Sequence, residues 1–334
     1  MRVALVYLGQ KPPKYLFDNL KHIRAQFPSI NLVFISDSVA GINRARRLGV
    51  KGWLYKENIQ EKKQFQNNSK LPMDFRGGFW YSTTARFFAL EAYLQEHPTE
   101  SLLQIEADVW ISPNFPFEKF ETLPEDVEIM FPLETSKTGA ASILYLKNHE
   151  AGRRFSREVR RIMLQDANAT DMTILGQLSK EHTLNCSILP VLPRDSDAIN
   201  PEASAEIIET ITLSLDYFGG VFDSLTYGLY LAGEDPRNYR GIRYRYRRQP
   251  SHLVYCDKLS FQVRDDGIYL IGKESLPLFN LHVHSKDRRT WRSDYLRTEL
   301  PKIIAQAKFG VRKRRSYGLL LVLISKSIRR RLDI

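Results

Sequence analysis

The first third of the chain alternates short apolar runs with a longer segment in which apolar residues recur at helical spacing. RVALVYLG, residues Arg2–Gly9, is a continuous apolar run that ends at a glycine, which predicts a buried strand. A helix is predicted from about Lys14 to Gln26, and a second buried strand at NLVFISDS, Asn31–Ser38. Strand, helix and strand at this spacing form a βαβ unit, so we predict a parallel sheet.

The next segment combines a polar stretch, a strongly patterned helix and another strand. The polar residues Lys56–Lys70 predict a loop. STTARFFALEAYLQEH, Ser82–His97, predicts a helix capped by Ser82 or Thr83. Leu102–Ile105 is then predicted as a strand. Ligands bind at the carboxyl ends of the strands in open α/β sheets, so the residues after it are of interest.

The remaining pattern continues in the same way and shows no internal repeat. It predicts strands at Val127–Glu134 and Ala140–Asn148, helices at His149–Gln165, Thr170–Glu181 and Phe222–Gly233, a hairpin with an Asp-Gly turn at Phe261–Gly272, and a late strand within Leu276–Ser285. Together these elements predict an α/β fold, a Rossmann-type mixed sheet flanked by helices.

The composition is that of an ordinary globular protein, with 43% hydrophobic and 26% charged residues. Its two cysteines, Cys186 and Cys256, offer neither a disulfide framework nor a metal-ligand spacing, which favours a reducing compartment. The N-terminus MRVALVYLG lacks the long apolar region and the cleavage site of a signal peptide. No run reaches the ~20 apolar residues that span a bilayer. We therefore expect a cytoplasmic protein.

The positive charge of the chain is concentrated near its C-terminal end. The formal net charge is +11, and residues 285–334 contain 15 Lys+Arg against 4 Asp+Glu. Residues 1–284 are therefore neutral overall, and they carry no zinc-finger or RRM pattern, so we predict no nucleic-acid partner. We expect one domain over residues 1–300 and a basic, partly apolar, helical tail over residues 301–334.

The tail places a short apolar run between two basic clusters. Within Lys308–Arg331, the run Leu319–Ile324 is too short to span a bilayer but can lie in its interface, with arginines against anionic headgroups. This pattern predicts peripheral binding at the inner face of a membrane. The alternative is a terminal helix docked on the body.

Two carboxylates interrupt the apolar run LLQIEADVWIS, Leu102–Ser112. Glu106 and Asp108 follow the predicted strand directly, and at i, i+2 spacing both side chains can lie on one face. Buried carboxylates are costly unless they are compensated, and hard oxygen ligands suit Mg²⁺ or Mn²⁺. The alternative is a chance pair that neighbouring basic residues neutralise.

The run IEADVWIS after a strand resembles the D-x-D element of the GT-A glycosyltransferases. These enzymes use a nucleotide-sugar donor, here a UDP- or GDP-sugar, and a divalent metal. The resemblance extends in order over roughly residues 1–290. It implies nucleoside contacts at Ser36 and Asp37, and a GT-A-like fold. This chain departs from the pattern because Glu106 stands where Asp is usual, so Asp108 is the safer ligand.

Five further segments carry the resemblance. TTARFFALEAYL resembles the helix before the metal motif and supplies Arg86 as a donor contact, and TGAASILYLKN resembles the donor-sugar strand. TDMTIL resembles the helix start whose aspartate, here Asp171, reaches the donor sugar. NLHVHSK resembles the late element with a metal-binding His and a phosphate-binding Lys. FDSLTYGLYLAGEDPRN is similar to a segment of bacterial surface-polysaccharide glycosyltransferases.

His282 and His284 alternate with apolar residues, so their imidazoles face the same side of a strand. We predict His284 as the metal ligand because it lies nearer the strand end. Lys286, two residues on, is predicted to neutralise the diphosphate as it departs. The alternative is a pair of core histidines satisfied by hydrogen bonds.

Three other charged residues have candidate roles. A cation near the first turns of a helix is poorly matched to the helix dipole, so Arg86 suggests an anionic partner, although an exposed arginine is the alternative. Asp223 is predicted as the base that takes the acceptor hydroxyl proton. Asp171 is assigned to donor-sugar hydroxyls. Either aspartate could instead be a helix N-cap.

The resemblance and the residues together predict a metal-dependent glycosyltransferase. It would use Mn²⁺ or Mg²⁺ and move a sugar from the donor to a saccharide or lipid-linked acceptor in surface glycan synthesis. One alternative is a nucleotidyltransferase, which is disfavoured because LGQKPPK lacks a glycine-rich basic loop. The other is a non-catalytic membrane-associated protein that binds nucleotide sugars or glycans.

Overall fold

The computed structural model describes residues 1–181, 183–194, 196–235, 243–244, 249–308 and 312–313. The strands are β1 Arg2–Tyr7, β2 Leu32–Ser36, β3 Lys51–Leu54, β4 Leu102–Ile105, β5 Val109–Ile111, β6 Ile129–Thr135, β7 Thr138–Gly139, β8 Ile143–Leu146, β9 Cys186–Leu189, β10 Arg243–Tyr244, β11 Ser260–Arg264, β12 Gly267–Ile271, β13 Ser275–Leu278, β14 Asn280–His282 and β15 Arg312–Lys313. The α-helices are α1 Lys14–Gln26, α2 Val39–Arg47, α3 Ile59–Asn68, α4 Phe79–Glu96, α5 Phe117–Glu121, α6 His149–Gln165, α7 Asp171–Leu178, α8 Ala205–Phe218, α9 Thr226–Ala232, α10 Tyr295–Thr298 and α11 Leu300–Lys308. Single 3₁₀ turns occur at Phe75–Gly77, Cys256–Lys258 and Arg288–Trp291.

A central mixed sheet organises the fold in the order β3-β2-β1-β4-β8-β6-β7, and β9 pairs with β6. The strands from β3 to β4 are parallel, whereas β8 runs antiparallel to β4 and to β6. This arrangement confirms the α/β fold with a Rossmann-type mixed sheet flanked by helices. The chain passes from β2 and β3 on one side of β1 to β4 on its other side, which makes the β1–β4 edge a topological switch point.

The central strands are buried on both faces, and the alternation of their side chains divides the core in two. Val3 and Leu5 of β1 join the apolar core that contains α1, whereas Ala4 and Val6 join the core that contains α4 and α6. Because successive side chains of a strand point to opposite faces, an apolar run such as VALV is required wherever helices cover both sides.

A second, smaller pairing brings the late part of the chain to the carboxylate run. The hairpin predicted at Phe261–Gly272 is present as β11 and β12. The predicted late strand is divided at Phe279 into β13 and β14, and β14 pairs antiparallel with β5. This pairing places the histidine segment beside the residues that follow β4.

The predicted loop at Lys56–Lys70 is wrong, because the structure has helix α3 there. Asn58 caps it, and its Oδ1 accepts hydrogen bonds from the backbone N–H of Gln60 and Glu61. Phe65 is its one buried residue. A helix that buries a single apolar side chain has almost no apolar periodicity, so the sequence pattern could not indicate it.

The start of helix α4 also differs from its prediction. It begins at Phe79 after Gly78, which has a left-handed φ of 91°, so neither Ser82 nor Thr83 is the cap. The hydroxyl of Thr83 instead donates to the carbonyl of Trp80 inside the helix. Such bonding to the preceding turn is common for threonine within helices, which makes a hydroxyl residue an ambiguous start signal.

Two further helix boundaries bear on the site. Helix α7 is capped by Thr170, whose side chain accepts from the backbone of Thr173, so Asp171 is not the N-cap. Helix α9 is shorter than predicted, because Phe222–Leu225 form the loop before it.

The tail prediction lies mostly outside the described residues, including the whole run Leu319–Ile324. Among the helices that the structure describes, none combines the length and the apolar character that a bilayer crossing requires.

Candidate functional site

Glu106 and Asp108 occupy a tight turn between β4 and β5, at the carboxyl edge of the parallel strands. The backbone N–H of Glu106 donates to the carbonyl of Ser142 at 3.0 Å, and the carbonyl of Asp108 accepts from the N–H of Val283 at 2.7 Å. The turn is therefore fixed from both sides, by the chain before β8 and by the chain after β14.

His282 completes a group of three potential metal ligands with these carboxylates. One ligand atom from each of Glu106, Asp108 and His282 lies within 4.8 Å of the others. The Nε2 atom of His282 is 3.4 Å from a carboxylate oxygen of Glu106 and 3.4 Å from one of Asp108. Two carboxylates and an imidazole are a donor set that suits Mn²⁺ and is compatible with Mg²⁺.

The second ring nitrogen of His282 shows that this donor set fits a cation. Its Nδ1 lies 3.0 Å from the carbonyl oxygen of Ser224, which can only accept, so Nδ1 carries the proton of the neutral ring. In the neutral ring, the lone pair of Nε2 faces both carboxylates, so the three groups can hold one cation in common. A carbonyl that fixes the tautomer in this way is the usual outer partner of a metal-binding histidine.

The structure brings His282, rather than the predicted His284, to the carboxylates. Strand β14 ends at His282, whereas the predicted strand lay within Leu276–Ser285, so His284 lies beyond the strand end. The ring of His284 stacks on that of His282 with centroids 4.0 Å apart, and its buried Nε2 has no hydrogen-bond partner among the described residues. Burial, together with electrostatic repulsion from His282, holds the pKa of His284 well below its usual range.

Arg86 joins the turn to helix α7. It is buried, which excludes an exposed arginine, and its guanidinium pairs with Glu106 and with Asp171. Burial works against the charged form, but the two carboxylates hold the pKa of Arg86 above its usual value. Burial raises the pKa of Asp171, whereas Arg86 outweighs burial at Glu106 and lowers the pKa of that carboxyl.

Lys286 supplies the second cation of the site. Its Nζ contacts Oδ2 of Asp108 and lies 5.7 Å from the centroid of the Tyr15 ring. Burial lowers the pKa of Lys286 to about 8. Its backbone is left-handed, with φ 53°, a conformation that non-glycine residues adopt rarely and mostly where the surrounding structure imposes it. Arg86 and Lys286 therefore neutralise Glu106 and Asp108, which agrees with the alternative that neighbouring basic residues pair with them.

Asp223 does not have the surroundings of an exposed base. It is fully buried, and its carboxylate accepts hydrogen bonds from the backbone N–H groups of Tyr227, Gly228 and His282, at 3.0, 2.7 and 2.7 Å. Burial raises its pKa to about 7, against these donors. The carboxylate thus joins the start of α9 to β14. Gly228 makes this approach possible, because a Cβ there would lie 2.0 Å from the carbonyl oxygen of His282.

A buried polar network behind His282 was not predicted from the sequence. Glu134 accepts from the hydroxyls of Ser224 and Thr226 at 2.5 and 2.7 Å, and lies 3.1 Å from Nε2 of His252. Ser224 is the residue whose carbonyl fixes the tautomer of His282. Glu134 ends an apolar strand just as Glu106 follows one, so the signal that indicated Glu106 was also present there.

Ser36 and Asp37 lie at the end of β2, which β1 separates from β4. The Oγ of buried Ser36 accepts from the N–H of Ser38 at 3.2 Å, and Oδ1 of Asp37 accepts from the N–H of Gly9 at 2.8 Å. The second bond joins the loops after β1 and β2. Because β1, β2 and β4 are parallel, the predicted nucleoside contacts and the candidate metal ligands lie at the same edge of the sheet.

No protein-family model and no curated protein matches the chain. Among solved structures, it is similar to the galactosyltransferase LgtC in complex with donor and acceptor sugar analogues, at 16% identity over 57% of this chain and 73% of that chain, with a TM-score of 0.42. An active-site mutant of LgtC matches at 16% identity over 67% and 85%, with a TM-score of 0.45. A cytidylyltransferase from Leptospira borgpetersenii matches at 9% identity over 65% and 86%, with a TM-score of 0.35. These similarities concern the fold, whereas the activity depends on the residues of the site.

The two stacked histidines offer a matched pair of variants. We expect His282→Ala to weaken Mn²⁺ binding by roughly tenfold or more, because it removes one of three ligand atoms, and His284→Ala to change it much less. Calorimetric titration of the purified variants with MnCl₂ measures both, and thermal unfolding shows whether each is folded. A larger loss in His284→Ala would return the ligand role to His284.

Proposed function

We propose that the protein is a metal-dependent glycosyltransferase that moves a sugar from a UDP- or GDP-sugar to a saccharide or lipid-linked acceptor in surface glycan synthesis. The observation that carries the proposal is the group of Glu106, Asp108 and His282 at the switch-point edge of the sheet. Arg86 and Lys286 surround it with positive charge. Such an edge is where open α/β sheets bind their ligands, and this charge suits a diphosphate.

The three ligand residues would hold Mn²⁺ or Mg²⁺, which neutralises the charge that develops on a departing diphosphate. Lys286 would assist from the protein. Its Nζ contacts Asp108, and a cation held by that carboxylate leaves the ammonium available to phosphate oxygens. Because Lys286 is partly buried, its attraction for phosphate is stronger than that of an exposed lysine.

The side chains around Arg86 divide the remaining tasks. Arg86 keeps the carboxylate of Asp171 beside that of Glu106, and a carboxylate in this position can accept hydrogen bonds from the hydroxyls of the donor sugar. Ser36 and Asp37 lie at the strand end where we propose the nucleoside. Asp223 would have to lose its backbone hydrogen bonds to act as the base, so we propose it as a positioning residue for His282.

The released product separates this proposal from both alternatives. A glycosyltransferase incubated with a nucleotide sugar and Mn²⁺ releases a nucleoside diphosphate, with water as a slow acceptor. A nucleotidyltransferase releases pyrophosphate from a nucleoside triphosphate and a sugar phosphate. A non-catalytic protein binds the nucleotide sugar and releases neither.

We expect Mn²⁺-dependent release of UDP or GDP from at least one of UDP-glucose, UDP-galactose, UDP-N-acetylglucosamine and GDP-mannose. Asp108→Asn should lower that rate by about two orders of magnitude or more, because the metal's stabilisation of the leaving group is worth several kcal/mol. A chromatographic assay of the nucleotide products measures it. Glu150→Gln, at an exposed carboxylate on α6, is the control that should keep full activity. Wild-type protein that releases no nucleoside diphosphate from these donors, or that instead releases pyrophosphate when it is given a nucleoside triphosphate and a sugar phosphate, would refute the proposal.

Lys286→Met should change metal and diphosphate binding in opposite directions. Without nucleotide, Mn²⁺ should bind more tightly, because the competing ammonium on Asp108 is gone. In saturating Mn²⁺, UDP should bind roughly tenfold more weakly, since a hydrogen bond between charged groups is lost. Calorimetry measures both affinities, with the exposed Lys302→Met as control. If both affinities change in the same direction, Lys286 does not alternate between the Asp108 carboxylate and phosphate.

We further propose a cytoplasmic location with peripheral binding at the inner membrane face, supported by the excess of basic residues in 285–334. Removal of the residues from Lys308 onward should abolish most binding to anionic vesicles, and binding of the intact chain should weaken as salt rises. Co-sedimentation with vesicles that contain phosphatidylglycerol measures both effects. Equal binding by the intact and truncated chains would assign the tail a structural role.

A further inference from the structure

An exposed aromatic cluster lies at the start of helix α4. Phe75 and Phe79 are the two most exposed aromatic residues in the described ranges, at 38% and 37%. Their ring centroids are 6.0 Å apart, and Trp80 lies 5.5 Å from Phe75 in a stacked arrangement and 5.1 Å from Phe79. Apolar rings grouped at the surface usually mark a binding site, since a folded chain gains by burying them.

The backbone that carries these rings is held in an unusual conformation. Arg76, Gly77 and Gly78 have consecutive left-handed φ angles of 51°, 72° and 91°. Glycine adopts such angles freely, but in an arginine they cost free energy. An arginine therefore keeps a left-handed conformation only where the surrounding structure imposes it. The consequence here is a turn between Phe75 and Phe79 that leaves both rings at the surface.

A polar pair borders the rings. The guanidinium of Arg76 lies 3.2 Å from Oδ2 of Asp235, and its carbon is 5.1 Å from the centroid of the Phe75 ring. Saccharides combine an apolar C–H face with hydroxyls around the rim, so they match ring faces that stand beside a charged donor and acceptor. An alkyl chain would gain nothing from the Arg76–Asp235 pair, which favours a saccharide over a lipid tail.

Helix α4 carries both the cluster and a residue of the candidate site. Phe79 and Arg86 are seven residues apart on α4, which is about 10 Å along a helix at 1.5 Å per residue. Arg86 pairs with Glu106 of the metal-ligand group. This spacing along α4 is within the length of a short oligosaccharide.

We propose that Phe75, Phe79 and Trp80, with the Arg76–Asp235 pair, form the binding subsite for a saccharide acceptor. The identification of the saccharide as the acceptor rests on the proposed glycosyl transfer, whereas the binding of a saccharide does not. The rings hold the apolar face of a sugar residue, and the ion pair takes its hydroxyls. The reacting hydroxyl then belongs to a neighbouring sugar nearer Arg86.

Saturation-transfer NMR with the full-length protein tests the subsite. The probes are the methyl glycosides of glucose, galactose, mannose and N-acetylglucosamine, with dihexanoyl phosphatidylglycerol as the lipid probe. We expect at least one glycoside to bind, and Phe79→Ala to weaken its binding roughly tenfold through loss of the ring stacking. Phe79→Tyr, which keeps the ring, should restore binding. Leu213→Ala, at an exposed leucine on α8, is the control that should match wild type.

Several outcomes overturn the inference. The inference fails if none of the four glycosides binds, or if wild type and Phe79→Ala bind a glycoside equally well. It also fails if the lipid probe displaces a bound glycoside. The failure of the proposed function looks different. If wild-type protein releases no nucleoside diphosphate but binds a glycoside through Phe79, the protein binds glycans without transferring sugar. If it releases the diphosphate but binds no glycoside through Phe79, only the subsite is refuted.

Discussion

The rest of the site depends on the neutralisation of two carboxylates at the end of β4. Taking Glu106 and Asp108 out of water costs on the order of several kcal/mol each unless cations lie beside them. Arg86 from α4 and Lys286 from the turn after β14 supply those cations. Buried ion pairs of this kind add little net stability compared with apolar packing. Their presence at a sheet edge where ligands bind is therefore better explained by a function than by folding.

The position of His282 depends on contacts between segments that are far apart in the sequence. Strand β14 pairs with β5, and Asp223 accepts a hydrogen bond from the backbone N–H of His282. The carbonyl of Ser224 accepts from Nδ1 of the His282 ring and so fixes its orientation. Glu134 then holds the hydroxyl of Ser224 from β6. A change at any of these residues would alter the orientation of the His282 imidazole and so the geometry of the three candidate metal ligands. Outer partners of this kind affect metal binding nearly as much as the ligands themselves.

Much of the fold could be predicted from the sequence, because apolar runs and helical spacing report burial directly. The βαβ start, the strand before Glu106 and the helix that carries Arg86 follow from local patterns. The choice between His282 and His284 does not, since both share a face and only the end of β14 separates them. Helix α3 was not predicted because it buries only one side chain. The Glu134 network was not predicted because its hydrogen-bond partners come together only in the folded chain.

In the proposed function, the charges of the site would also relate its two ligands, the metal and the diphosphate, to each other. Lys286 is paired with Asp108, so a cation that binds this carboxylate must first separate the pair. The separated ammonium is then a partly buried charge without a partner, which is unfavourable until an anion approaches. The diphosphate of the proposed donor would supply that anion beside Lys286. Because thermodynamic coupling is reciprocal, a site built in this way favours the metal together with the diphosphate over either ligand alone. It would also lose affinity for the metal once the diphosphate has left, which resets the Lys286–Asp108 pair for the next donor.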